Sequence, residues 1–139
     1  MIVADTSAVV ALIDADDRHH SVLLDLYESG PGPWLLPWAI LPEVDYLLRT
    51  HVGVSAARLF LSDVAASAFL VEWGVGTDLA RARELDERYA DLNLGLVDTV
   101  VMAVAERVRA TAIATLDVRH FGAVELKGRP SLWPRDAGR

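Results

Sequence analysis

Ile2-Val3-Ala4-Asp5-Thr6-Ser7-Ala8-Val9-Val10-Ala11-Leu12-Ile13 joins a short apolar run to a longer one through an acid and two hydroxyls. Val3-Ala4 predicts a buried strand, and Ser7 to about Asp14 a helix with Thr6 or Ser7 as its N-cap. A strand that passes directly into a helix is the first half of a βα unit, and the chain repeats the alternation. Further strands are expected at Trp34-Leu35-Leu36, 68–72 and 111–114, with a possible fifth at 123–126. Helices are expected over about 18–29, 39–50, 55–65, 77–89 and 98–109. Pro42 fits a first helical turn, while Gly30-Pro31-Gly32-Pro33 and Gly53 stop their helices. The pattern implies an α/β fold: a three-layer α/β/α sandwich around a mostly parallel sheet of four or five short strands.

The chain has 139 residues, 53% of them hydrophobic and 24% charged, which predicts one domain over 1–139 with a real core and excludes disorder. No apolar run is long enough to cross a bilayer, and no basic segment precedes the first strand to suggest a signal peptide. Without cysteine there is neither disulfide nor thiolate metal site. A cytoplasmic protein fits these features. The net charge of -7 argues against gripping nucleic acid over a broad basic face. It leaves room for a nuclease whose bound cations invert the charge locally. Arg119, His120, Lys127, Arg129, Arg135 and Arg139 crowd the last 21 positions.

Four acids stand where apolar residues surround them. Asp5 ends the first apolar run, and Glu43 lies within Ala39-Ile40-Leu41 … Val44 … Leu47-Leu48. Asp98 interrupts Leu96-Val97 … Val100-Val101-Met102, and Asp117 follows Ala112-Ile113-Ala114-Thr115-Leu116. Each has a plain alternative. Asp5 or Asp98 can cap a helix, Glu43 can be solvated, and Asp117 can be a turn residue. Against these, helical spacing sets Glu43 with Ile40 and Leu47, leaving Asp45 and Arg49 as the outward pair. It also sets Asp98 with Val101, Met102 and Ala105. Asp5 and Asp117 fall at the carboxyl ends of strands, where parallel sheets bind ligands. Two like charges about 4 Å apart repel by roughly 4 kcal/mol at an effective dielectric near 20. Four such groups call for cations. An all-oxygen set suits Mg²⁺ or Mn²⁺, with Ser7 and Thr115 placed to add hydroxyls. His19, His20, His51 and the four tryptophans carry weaker signals and read as solvated or packing residues.

The ordered set Asp5-Thr6-Ser7, Glu43, Asp98 and Thr115-Leu116-Asp117-Val118-Arg119-His120-Phe121 resembles the PIN-domain nucleases. Within them it is most similar to the single-domain VapC toxins of type II toxin–antitoxin pairs. The similarity runs from Met1 to about Leu126. The resemblance implies an endoribonuclease that uses Mg²⁺ or Mn²⁺. Asp5, Glu43, Asp98 and Asp117 would carry the metal and its water, supported by the hydroxyls of Thr6, Ser7 and Thr115. Arg119 and His120 would contact RNA. It further implies a homodimer restrained by a VapB-like antitoxin whose C-terminal segment covers the pocket. A metal-dependent phosphatase using the same acids is one rival reading. A receiver-like binding module is another, though it needs an acidic pair at the first strand and a downstream Lys. Here Asp5 stands alone and Lys127 is the only lysine.

Overall fold

The structure, a computed structural model, describes residues 1–138. Its elements are β1 (Ile2–Ala4), α1 (Thr6–Ile13), α2 (His20–Ser29), β2 (Trp34–Pro37), α3 (Ile40–Leu47) and α4 (Val54–Ala65). There follow β3 (Leu70–Glu72), α5 (Gly76–Arg88), α6 (Gly95–Arg107), β4 (Ala112–Ala114), α7 (Val118–Ala123) and β5 (Ser131–Trp133). All strands pair in parallel, in the order β3-β2-β1-β4-β5. The chain therefore builds outward from β1 to β3, crosses back over the sheet, and continues through β4 to β5. Parallel crossovers are right-handed, so reversing direction changes the face. That places α1–α4 on one side and α5–α7 on the other, in agreement with the packing of α1 on α2 and α3, and of α6 on α5 and α7.

Strands covered on both faces need continuous apolar residues rather than alternation. β1, β2 and β4 are buried throughout, with Ile2, Val3, Leu36 and Ile113 wholly inaccessible. β3 lies at an edge and is less covered, with Leu70 44% exposed. The core continues through α6, where Val100, Val101, Met102 and Val104 are fully buried.

Several boundaries differ from expectation. The fifth strand is not 123–126. Val118–Ala123 forms α7, capped at Asp117 by a bond from the His120 backbone N–H (3.1 Å). Val124 and Leu126 bury their side chains without pairing to a strand, so their alternation reports burial alone. The true fifth strand, between Pro130 and Pro134, matches Ala114 to Trp133. α1 begins at Thr6 rather than Ser7, with Asp5 in the N-cap position. α6 starts at Gly95, one turn before Asp98, because its opening residues are partly exposed and lie outside the apolar stripe. The helix expected over 39–50 is α3 followed by a π-helical turn, Leu48–Val52, that ends at Gly53 with φ 149°.

Charge also joins α5 to its neighbours, although Arg83 and Glu87 pair on its exposed face. Arg81 bonds Glu106 of α6 at 2.7 and 3.1 Å, and Arg107 bonds Asp78 at 2.7 and 3.0 Å and Glu72 at 2.7 Å. His20, expected to be solvated, sets its Nδ1 3.1 Å from the Ala11 carbonyl oxygen and ties α2 to α1.

Candidate active site

Strand order reverses between β1 and β4, and the crevice at such a switch point is where open α/β sheets bind ligands. Asp5 leaves β1 there, and Thr115-Leu116-Asp117 leaves β4 beside it, joined by the Asp5 N–H to Ala114 carbonyl bond of 2.9 Å. Although Asp5 occupies the N-cap position of α1, its side chain makes no cap bond. Its Oδ2 accepts from Thr115 Oγ1 at 2.9 Å and from Ser7 Oγ at 3.2 Å. The same two hydroxyls hold the next turn of chain: Ser7 Oγ accepts from the Leu116 N–H at 2.9 Å, and Thr115 Oγ1 from the Asp117 N–H at 3.0 Å. The two oxygens lie 3.4 Å apart. This brace fixes the Asp5 carboxylate relative to the backbone that presents Asp117.

Asp98, in the first turn of α6, faces the same crevice. Its Oδ2 lies 2.8 Å from His120 Nδ1, and Asp117 Oδ2 lies 3.2 Å from that nitrogen. Asp98, Asp117 and His120 each offer a ligand atom within 4.8 Å of the others. Sequence reasoning set His120 against RNA and did not foresee this pairing. The i, i+3 spacing of Asp117 and His120 across a helix start signals only the part of it that joins those two residues. Thr6, grouped with the supporting hydroxyls, does not join the brace. It is 3% exposed and its Oγ1 has no hydrogen-bond partner. Arg119 is exposed on α7 and makes no ion pair among the described residues.

The electrostatics tie the remaining acids to this cluster. Asp5 is only 4% exposed, and its pKa is pushed up to about 6. Burial is the main cause and the Asp98 charge adds to it, against the pull of the Thr115 and Ser7 hydroxyls and the Thr6 backbone. Asp98 is also raised, first by burial and then by Asp117 and Glu43, while His120 opposes the shift. Asp5, Glu43 and Asp117 thus all act on Asp98, so the crevice gathers the four acids singled out in the sequence. Buried carboxylates held off ionisation by one another fit a hard divalent cation, which would relieve both the desolvation and the repulsion.

A parallel sheet with acids gathered at its switch point is the framework of the PIN domain, and the chain belongs to that family: the PIN domain sequence model matches residues 2–126. It is 30% identical over 123 residues to Ribonuclease VapC26 of Mycobacterium tuberculosis (strain ATCC 25618 / H37Rv), covering 88% of this chain and 91% of that protein. Two crystal structures share the fold. Mycobacterium tuberculosis VapC20, described as a Sarcin-Ricin loop cleaving toxin, superposes with a TM-score of 0.81 at 23% identity, over 92% of this chain and 98% of its own. VapBC2 from Rickettsia felis, bound to a DNA fragment from its promoter, gives 0.68 at 16% identity, over 95% and 97%.

Proposed function

We propose that the chain is the RNA-cleaving toxin of a toxin–antitoxin pair, a Mg²⁺- or Mn²⁺-dependent endoribonuclease acting in the cytoplasm. The observation that carries this reading is the buried Asp5 carboxylate at the switch point, held by the Thr115 and Ser7 hydroxyls and the Thr6 backbone, with no cationic partner among the described residues, and in electrostatic contact with Asp98. The full-length similarity to a ribonuclease toxin supports the substrate class. No helix among the described residues is long and apolar enough to cross a membrane.

In this reading Asp5, Asp98, Asp117 and Glu43 hold the divalent ion, which supplies water activation and charge neutralisation at phosphorus when bound. Ser7 and Thr115 orient Asp5. His120 steadies Asp98 and Asp117 against each other, and Arg119 projects toward the RNA backbone, where a guanidinium matches a phosphate in two-pronged geometry. The products of hydrolysis are two RNA pieces, one of which retains the phosphate. A VapB-like antitoxin is the restraining partner, and the toxin itself is a homodimer.

The test is cleavage of total cellular RNA by the wild-type protein and by Asp5→Ala, with folding checked by circular dichroism. Wild-type cleavage should require Mg²⁺ or Mn²⁺, stop with EDTA, and fall by orders of magnitude in the variant. Full activity in Asp5→Ala, or cleavage by the wild type in EDTA, would overturn the reading.

A further inference from the structure

The charge of this chain is unevenly placed. Of its 13 Lys and Arg, five lie in 119–139, but only Glu125 and Asp136 of its 20 acids do. The acidic remainder as a whole repels a polyanion, so this stretch of opposite sign favours the approach of an RNA strand to the acid cluster. That stretch includes most of α7, which carries His120 and is capped by Asp117.

A cleft of ≈ 300 Å³ opens between α7 and β5. Phe121, Gly122 and Leu132 contribute to its wall, and Arg129 and Arg135 bring positive charge against one lining acid, Glu125. Arg129 makes no ion pair among the described residues. Arg135 gives Nε and Nη2 to Asp136 at 2.8 and 3.0 Å and keeps Nη1 against α7, where a Cβ on Gly122 would come within 3.2 Å of it. The missing side chain at Gly122 lets this guanidinium lie flat on the helix. At about 1.5 Å per residue, Gly122 lies roughly 8 Å along α7 from Asp117. That is about two stacked nucleotides at ~3.4 Å each.

Resting on the ribonuclease reading, we propose that the α7–β5 cleft binds the RNA phosphate backbone about two nucleotides from the scissile bond, through Arg129 with the Asp136-paired Arg135 beside it. Contacts of this kind position a strand without reading its bases. They supply the attraction that the rest of this acidic surface withholds.

The experiment measures fluorescence anisotropy of a labelled polyuridylate oligonucleotide in EDTA over a range of salt concentrations. It compares wild type, Arg129→Gln and the double variant Arg129→Gln/Arg135→Gln. Each lost phosphate contact should flatten the slope of log K against log salt by about 0.7. Mn²⁺ affinity and melting temperature of Arg129→Gln should match wild type. An unchanged slope in both variants, or no binding by wild type at low salt, overturns the cleft assignment. The parent reading is judged separately, by metal-dependent cleavage. A wild type that fails to cut RNA but shows the slope change refutes the enzyme and leaves the cleft as an RNA site.

Discussion

At the residue scale the site is organised around one unfavourable group. The folded-state pKa of Asp5 lies above the unfolded value, about 6 against 3.8. The folded protein therefore binds the proton more tightly, and stability falls as pH rises from about 3.8 to about 6. Above that window the ionised carboxylate costs on the order of 3 kcal/mol, at 1.36 kcal/mol per unit. Asp5→Asn keeps an oxygen for the Thr115 hydroxyl while removing the charge. The metal-free variant should melt several degrees above wild type at pH 7 by calorimetry, yet gain little from added Mn²⁺, whereas wild type gains much. A variant less stable than wild type in EDTA would mean that Asp5 is there for structure. Asp5 was legible in the sequence because an acid closing an apolar run has few cheap explanations. Asp117 was ambiguous, and the structure shows why: it is both a helix cap and a member of the cluster. The link of His120 to Asp98 bridges 22 residues and depends on how α6 packs on α7, so no local spacing could reveal it.

At the scale of elements, α5 and α6 are joined by charge as much as by apolar contact. Asp78, 3% exposed, accepts from Arg107 and also from the Val75 N–H at 3.0 Å, closing the start of α5. Burial works against its ionisation, but the Arg107 guanidinium and the Val75 N–H outweigh it and hold the carboxyl below its usual range. Its contribution is therefore present above the unfolded value of 3.8 and is lost as pH falls through the lower folded one. Asp78→Ala should cost about 2–3 kcal/mol at pH 7, combining a lost cap with an Arg107 left half-paired. Urea titrations should show the gap between variant and wild type narrowing as pH falls below 3.8; a gap that widens there would contradict the assignment. This staple was invisible in the sequence, since Arg81 and Arg107 sit among exposed charges and pair across 25 and 29 residues. Apart from α7, the helices and four of the strands were legible because continuous apolar runs and Gly or Pro stops encode them locally. The fifth strand was not. Three residues flanked by prolines give no period, and their place is set by β4, to which they pair.

At the scale of the whole molecule, the apolar surface left uncovered bears on assembly. Trp34 to Leu48 and the helix around Ala57 to Leu61 carry more apolar residues than one small sheet can cover. The structure divides that surface. Trp34, Ala57 and Phe60 are buried, whereas Tyr46, Leu59 and Leu61 remain 66%, 61% and 60% exposed. Leu61 also lines a cleft of ≈ 340 Å³ between α3 and α4 with Leu41, Pro42, Phe60 and Val64, edged by the Asp45–Arg49 pair. Large apolar side chains clustered on neighbouring helices favour association over solvation. A second copy of the same chain can bury them symmetrically about a two-fold axis. Light scattering should therefore give about twice 15.2 kDa for wild type at micromolar concentration. Leu61→Glu places a charge in the contact and should return the mass to that of one chain. Because dimerisation stabilises only the folded form, wild-type melting should rise with concentration while the variant's stays flat. A wild type that scatters as a single chain across the micromolar range would leave α4 as a surface for another partner and rule out the dimer.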